Sequence, residues 1–296
     1  VWYNTATTAL KYVTEGAGTW ASENAMATAR NQSAQATQAT VPAQGLVAGG
    51  GATTAPTAVV EEFDGTNWSE KNNLTTARRL LMGAGTTTAM IGFGGLPNIQ
   101  KTEKWDGTSW TEVNDLLTGR EYFGGAGTST AALAVGNGPY PVPTGKYTEE
   151  YDGTSWTEVN DINTQRSGLA ACGLQTAAMA MGGYSGSPSV LTEIYDGTSW
   201  SEGSGDLNSG RDNAAGSGST TAALCYSYGT EIWDGTSWAT GANLATQRNY
   251  FQGMGSTSQG SGAALAAGGY DAEGNQVGTT ESWENPVYTI KTVTVS

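Results

Sequence analysis

Short apolar segments alternate with turn residues along the whole chain, and no window keeps the 3.6-residue period of an amphipathic helix. The clearest unit follows Arg166, where the segments SGLAACGLQ, TAAMAMGG, LTEIYDG and SWSEG come one after another. The Asp-Gly pair between the third and fourth segments favours a tight hairpin, because both turn positions tolerate positive φ. The pattern therefore predicts an all-β protein built from four-stranded units.

The hairpin sequence occurs five times, and its surroundings recur with it. The copies are FDGTNW at 63–68, WDGTSW at 105–110, YDGTSW at 151–156, YDGTSW at 195–200 and WDGTSW at 233–238. A glutamate stands two residues before the first aromatic of each copy, and an arginine follows each tryptophan by ten or eleven residues. A supersecondary unit repeated at intervals of roughly 40–50 residues is typical of propellers and solenoids.

A sixth copy is divided between the two ends of the chain. Trp20 and Arg30 match the second half of the unit at its usual spacing, whereas Glu281 and Trp283 match the first half without the DGTSW hairpin. We therefore predict a six-bladed β-propeller with four-stranded antiparallel blades, in which the N-terminal strand near 18–23 closes the last blade. Such a closure removes exposed sheet edges and ties the two ends of the chain together.

The strand composition predicts which strand of each blade lies nearest the axis. The first strand of each unit is rich in Gly, Ala and Ser, as expected where six strands crowd around an axis, and the aromatic residues come later.

We expect one propeller domain over residues 1–296. The segments 1–13 and 287–296 are predicted terminal strands beyond the ring, available for attachment or for pairing with each other. Neither an initiating methionine nor a signal peptide precedes Val1, and the two interpretations are a processed chain and a piece of a longer protein.

Several second strands end in two glycines: GLVAGG at 45–50, MIGFGG at 90–95, AMAMGG at 178–183 and AALAAGG at 263–269. Together with the spaced aromatic and tryptophan, this pattern resembles the Kelch repeat of β-propellers over about residues 14–285. The chain departs from it where Asn137 separates the glycines and where AALCYSYG at 222–229 lacks the doublet. The gap between the aromatic and the tryptophan is also shorter than in Kelch repeats. The resemblance implies a propeller whose repeat arginines line the central pocket and receive acidic ligands.

Composition removes several classes of function. The net charge of −14 disfavours nucleic acid and anionic membranes as partners, because both require a positive surface. No apolar stretch is long enough to cross a bilayer, so we expect no membrane insertion. The chain has no histidine, which excludes Ser-His-Asp and Cys-His nucleophiles and His-containing metal sites. We predict no cofactor and no metal, and we expect Cys172 and Cys225 to be packing residues.

The repeated acidic residues are predicted to be structural. Each hairpin aspartate is expected to cap its own turn, and each repeat glutamate to pair with a repeat arginine between blades. The DGTSW string resembles the Asp-box of sialidases, although its spacing from Asp to Trp is shorter. A sialidase-like enzyme would also need an arginine cluster and a tyrosine nucleophile, and only the arginines are evident. We therefore expect that the protein is not an enzyme.

Two sets of residues are candidates for binding. The repeat arginines would gather near the axis on one face, where they either bind carboxylate or sulfate groups or are held by glutamates and carbonyl groups. The loops that follow the Gly-Gly strands differ in length and sequence, as in a recognition face, and their tyrosines offer flat surfaces for glycans. The candidate residues are Arg30, Arg78, Arg120, Arg166, Arg211, Arg248, Tyr140, Tyr184 and Tyr270.

The N-terminal residues give the last clue. The WYN and LKY strings within 1–13 resemble segments that precede repeat modules in virion and tail proteins of bacteriophages, especially marine ones. We accordingly predict a non-enzymatic binding module of a phage virion, tail or capsid-associated, that contacts a host receptor or glycan, other virion proteins, or further copies of itself. The alternatives are a purely architectural component of a virion or bacterial surface, and a glycan-cleaving, sialidase-like hydrolase. The expected location is the virion, or otherwise the extracellular space or bacterial cell surface.

Overall fold

Six four-stranded antiparallel sheets form a ring of blades. The computed structural model describes residues 2–4, 9–15, 18–36, 44–52, 55–97, 99–137, 145–255, 264–284 and 288–294. All regular elements within these ranges are strands, and the innermost strands of neighbouring blades contact each other around the ring. The prediction of an all-β, six-bladed propeller is confirmed.

The first half of the chain provides three leading strands and two complete blades. The leading strands are β1 (Trp2–Asn4), β2 (Ala9–Glu15) and β3 (Thr19–Glu23). Blade 1 consists, from the axis outward, of β4 (Ala34–Gln35), β5 (Gly45–Ala48), β8 (Val60–Phe63) and β9 (Trp68–Lys71), with β6 (Gly51–Ala52) and β7 (Ala55–Pro56) paired in its loop. Blade 2 consists of β10 (Met82–Gly85), β11 (Met90–Phe93), β12 (Thr102–Trp105) and β13 (Trp110–Val113).

The remaining blades repeat this plan. Blade 3 consists of β14 (Gly124–Gly127), β15 (Ala132–Val135), β16 (Thr148–Tyr151) and β17 (Trp156–Val159). Blade 4 consists of β18 (Ala170–Leu174), β19 (Ala177–Met181), β20 (Thr192–Tyr195) and β21 (Trp200–Glu202). Blade 5 consists of β22 (Ala215–Ser219), β23 (Ala222–Tyr226), β24 (Thr230–Trp233) and β25 (Trp238–Thr240).

Blade 6 is assembled from both ends of the chain, as predicted. The short strands β26 (Arg248–Asn249) and β29 (Tyr270–Asp271) pair beside it, and its own strands are β27 (Gln252–Gly255), β28 (Ala264–Ala267), β30 (Thr280–Glu284) and the N-terminal β3. Trp20 of β3 lies opposite Trp283 of β30, with ring centroids 5.4 Å apart. The last strand, β31 (Tyr288–Thr294), pairs with β2 in a separate three-stranded sheet with β1.

The strand directions define two faces of the ring. The innermost strands begin at one face, which we call the loop face, and the connections between second and third strands lie there too. The Asp-Gly hairpins lie at the opposite face, which we call the hairpin face. In blade 6, Thr19 at the start of β3 lies opposite Glu284 at the end of β30. Both connections to the terminal sheet therefore leave from the hairpin face.

Close approach explains the glycines of the inner strands. A Cβ atom at Gly83 would lie 2.3 Å from Cε of Met90 and 2.6 Å from the carbonyl oxygen of Gln35, which belongs to the neighbouring blade. A Cβ atom at Gly253 would lie 2.3 Å from that of Ala215. Because real Cβ atoms do not come this close, the small residues allow six strands to meet around one axis.

Aspartate side chains hold the hairpins, as predicted. In blade 2, Oδ1 of Asp106 accepts hydrogen bonds from the backbone N–H groups of Thr108 and Ser109, both at 2.8 Å. These bonds stabilise the carboxylate and lower the pKa of Asp106. The other DG hairpins repeat the same contacts at Asp64, Asp152, Asp196 and Asp234.

Three outer-strand tryptophans connect neighbouring blades through a threonine that begins the third strand. The indole N–H donates to the threonine Oγ1 in the pairs Trp20–Thr230, Trp68–Thr280 and Trp238–Thr192, at 3.0–3.1 Å. Blade 1 has Val60 in the place of this threonine, and Val60 packs in the same core cluster as Trp110 of blade 2. Nε1 of Trp110 is buried and has no partner among the described residues. Nε1 of Trp156 and of Trp200 also lacks a partner in the described part of the chain, although Thr102 and Thr148 begin the third strands of the preceding blades. The valine therefore removes a possible acceptor but does not by itself account for a missing interblade hydrogen bond.

The two cysteines are free thiols buried in one core cluster between blades 4 and 5. Burial raises the pKa of both thiols, that of Cys225 to about 12. A thiol that stays protonated is a poor nucleophile. These residues therefore fit the packing role predicted for them.

Candidate binding site

The six repeat arginines come just before the innermost strands, but their side chains are turned into the protein and none of them lines the cavity at the axis. Five of the six are completely buried, and the side chain of Arg211 is only 9% exposed. Each forms an ion pair with a repeat glutamate, as predicted, but the partner belongs to the blade that the arginine leads into, so the pairs do not join two blades. The pairs are Arg30–Glu61, Arg78–Glu103, Arg120–Glu149, Arg166–Glu193, Arg211–Glu231 and Arg248–Glu281.

The guanidinium of Arg78 has partners on both terminal nitrogens, whereas its buried Nε has none among the described residues. Its Nη1 donates to the carbonyl oxygens of Gly94 and Lys101, at 2.7 and 2.6 Å, and its Nη2 donates to Oε1 of Glu103 at 3.0 Å. Burial lowers the pKa of Arg78, and the neighbouring carboxylate opposes this effect. A guanidinium without exposed surface offers no contact to a ligand, so its geometry matches the structural alternative for these arginines.

The glutamates also hold the connections between blades. Oε2 of Glu103 accepts the backbone N–H of Thr75 at 2.7 Å and its hydroxyl at 2.6 Å. Thr75 and Arg78 both lie on the segment that links blade 1 to blade 2. Equivalent backbone N–H donors reach the glutamate in the other blades. The Arg–Glu pairs thus join each incoming connection to its blade.

A ring of left-handed residues surrounds the axis on the loop face. These residues stand two positions after each repeat arginine, and their φ angles lie between 51° and 59°. We call this set the axial ring; its members are Gln32, Leu80, Tyr122, Gly168, Asn213 and Tyr250. Five of its backbone N–H groups donate to the carbonyl oxygen of a ring neighbour, at 2.6–3.1 Å. A left-handed conformation costs about 1 kcal/mol or more for a residue other than glycine. The backbone hydrogen bonds between neighbouring members of the ring offset this cost and stabilise the conformation.

A narrow cavity lies at the axial ring and continues between the innermost strands. Its volume is about 60 Å³, and its lining includes all six members of the ring. Ligand pockets typically have volumes of about 300–1,000 Å³. A small organic ligand would therefore lie over the ring at its mouth and not inside the cavity.

Three tyrosines form a cluster at this mouth. The rings of Tyr122 and Tyr250 meet edge to face, with centroids 6.3 Å apart, and those of Tyr250 and Tyr270 do so at 6.2 Å. Tyr270 is positioned by the pairing of β29 with β26, where it lies opposite Asn249. All three side chains are half-buried. Tyr184 and Tyr228 lie in other loops of the same face and are 42% and 45% exposed.

Charged groups lie beside the tyrosine cluster. They belong to the residues that directly follow three repeat arginines: Arg79, Glu121 and Asp212, all half-buried. Among the described residues, none of the three forms an ion pair, and Oε2 of Glu121 is buried without a hydrogen-bond partner. Burial raises the pKa of Glu121, while the charge of Arg79 opposes this. The pKa of Tyr122 is raised by burial and then by Glu121.

The predicted site residues have different outcomes. Tyr184 and Tyr270 lie on the loop face, where their loops were expected to form a recognition surface. Tyr140 lies outside the described residues. Five residues at the mouth were not among the candidates: Arg79, Glu121, Tyr122, Asp212 and Tyr250. The signal that could have found them is variation at the two positions after each repeat arginine, between flanks that are otherwise constant.

The described residues contain no group of three or more Cys, Asp or Glu side chains that could hold a metal ion. They also contain no helix with the length and apolarity needed to span a bilayer. The side chains at the mouth of the axis that can contact a ligand are aromatic, amide and charged groups.

No protein-family model matches this chain, and no curated protein matches it. Its fold is shared widely, since 273 chains of solved structures match it, so that the fold alone says little about function. One of these is the structure of YjhT, which superimposes with a TM-score of 0.71 at 12% sequence identity and covers 91% of this chain and 99% of that one. The similarity places the protein among six-bladed β-propellers and carries no information about its activity.

Proposed function

We propose that this protein is a non-catalytic recognition module that binds its ligand over the axial ring and the surrounding loops. The observation that carries the proposal is where the six blades differ from one another. The residues that build a blade, such as the hairpin aspartate and the Arg–Glu pair, are repeated. The side chains at the mouth of the axis differ from blade to blade, and their contacts do not explain them as structural elements.

The same site gives little support for hydrolysis. The chain has no histidine, and Tyr122, which follows Glu121 at the mouth, has a raised pKa, which makes it a poor nucleophile. The repeat arginines, which a sialidase-like mechanism would need at the ligand, are paired with glutamates. These features favour binding over glycan cleavage.

The topology supports attachment through the chain ends. Both connections to the terminal sheet leave from the hairpin face, and β2 pairs with β31 along seven residues. A propeller held by this sheet would present its loop face on the far side. We propose that the protein is displayed in this way on a virion, as a tail or capsid-associated component. Antibody labelling of purified particles tests the location.

The binding proposal is tested with the full chain on a broad glycan array and in pull-downs from particle and host-surface extracts. The matched variants are Tyr270→Ala on the loop face and Leu174→Ala on the hairpin face, where Leu174 is 42% exposed. We expect binding that Tyr270→Ala weakens and Leu174→Ala leaves unchanged. Absence of binding in both assays, or equal effects of the two variants, would show that the loop face is not a recognition surface and would favour a purely architectural role.

A further inference from the structure

The mouth of the axis combines flat aromatic surfaces with planar polar groups, and this combination restricts the ligand. The edge-to-face contacts of Tyr250 with its two neighbours leave rings standing nearly perpendicular to one another, at 69° and 86°. A ligand lying against one ring therefore has a second ring at its side. The weakly polar C–H face of a sugar packs on a tyrosine in this way.

The polar groups around the cluster suit hydroxyl ligands. Arg79 provides only donors, and the half-buried carboxylate of Glu121 provides only acceptors. Asn213 of the axial ring has both a donor and an acceptor on its side-chain amide, whose Nδ2 donates to Asp212 at 2.9 Å. Vicinal hydroxyl groups donate and accept at the same time, so they can satisfy a mixed set of this kind.

The charges of the mouth select against an anion. One guanidinium, that of Arg79, stands beside two carboxylates, those of Glu121 and Asp212, on a chain with a net charge of −14. The six arginines that could have received a carboxylate are held by their own glutamates. An acidic sugar would therefore meet more negative than positive charge.

We infer, on the basis of the proposed function, that the loop face binds the terminal residue of a neutral glycan, packed on the tyrosine cluster and hydrogen-bonded by Arg79 and Glu121. Tyr250 and Tyr270 provide the apolar wall, and the two carboxylates exclude sialylated, sulfated and uronic acid termini.

The test has a specificity arm and a residue arm. Isothermal titration of the full chain compares the methyl glycosides of galactose, mannose and N-acetylglucosamine with those of glucuronic acid and N-acetylneuraminic acid. At least one neutral glycoside should bind about tenfold or more tightly than both acidic ones. Tyr270→Ala and Arg79→Gln should each weaken that binding by about tenfold, while Tyr270→Phe stays within about threefold.

A charge variant tests the origin of the selectivity. Glu121→Gln combined with Asp212→Asn replaces two carboxylates by neutral amides of similar shape. Two negative charges are removed, so the preference for neutral over acidic glycosides should shrink. Thermal unfolding shows that each variant is folded. Stronger binding of acidic glycosides by the wild type, or a preference that the double variant leaves intact, would overturn the inference. Capture of a protein partner that Tyr270→Ala abolishes, without any glycoside binding, would overturn the sugar ligand and leave the proposed recognition role standing.

Discussion

Replacing Trp20 by alanine tests whether the N-terminal strand closes the ring. The Trp20 ring lies 5.4 Å from that of Trp283 and 4.8 Å from that of Tyr226 in the neighbouring blade. Its indole N–H donates to Oγ1 of Thr230 at 3.1 Å. The side chain therefore connects the two halves of blade 6 to blade 5, and alanine removes all three contacts at once.

The expected loss follows from these contacts. Each aromatic pair contributes about 0.5–1.5 kcal/mol and the hydrogen bond about 0.5–1.5 kcal/mol, so together they amount to about 3 kcal/mol. This value lies at the lower end of the about 3–5 kcal/mol for truncating a buried tryptophan, as expected for a partly exposed one. Unfolding 296 residues releases about 0.6 kcal/mol/K of entropy, so the melting temperature should fall by about 5 °C.

Differential scanning calorimetry measures this change, and Trp68→Ala is its matched control. Trp68 occupies the same place in blade 1, where its indole donates to Thr280 at 3.0 Å and its ring lies 5.2 Å from Phe63. If the N-terminal strand completes blade 6 in the way that β9 completes blade 1, the two variants should melt within about 2 °C of each other. A protein with Trp20→Ala that melts within about 1 °C of the wild type, while Trp68→Ala is destabilised, would refute the closure.

Three further predictions concern the repeated contacts. Glu103→Gln leaves the buried guanidinium of Arg78 without its counter-charge and should lower the free energy of unfolding by about 3–5 kcal/mol in urea titrations. Val60→Thr places beside Trp110 the residue type that accepts the indole N–H in three other blades, so its melting temperature should be at least that of the wild type. The hairpin contacts lower the pKa of Asp234 to about 2 from an ordinary 3.8. Their stabilisation is present above about pH 4 and is lost as the pH falls toward 2, so melting temperatures recorded from pH 5 to 2 should decrease less steeply in Asp234→Asn.

Substitutions elsewhere in the ring are the controls for these predictions. Glu112 is 57% exposed on its side chain and pairs with Lys101 at the surface, so Glu112→Gln should change the free energy of unfolding by less than about 1 kcal/mol. Val135 is buried like Val60, and Val135→Thr should cost about 1–3 kcal/mol for an unpaired hydroxyl. An equal loss in Val60→Thr would contradict the proposed hydrogen bond, and an unchanged pH slope in Asp234→Asn would contradict the hairpin assignment.

Repetition explains which parts of the structure could be predicted from the sequence. Five hairpin copies and the spacing of Trp20 to Arg30 determine the number of blades and the closure, because each blade must bury the same face against its neighbours. The Arg–Glu pairs were predicted for the same reason. The missing indole hydrogen bonds of Trp110, Trp156 and Trp200 could not be predicted, since they depend on how each indole lies against the third strand of the preceding blade.

The binding site required the structure, because its residues are related only through the ring. Glu121 and Tyr122 are adjacent in sequence, but Arg79 and Tyr250 are about 40 and 130 residues away from them, and nothing in a linear pattern brings the four together. The propeller does so by placing the residues after every repeat arginine at one mouth. The same geometry makes these positions free to differ, because the axial ring is joined through backbone groups and needs no particular side chain. A repeat can therefore keep its fold constant while its loop face acquires a separate specificity.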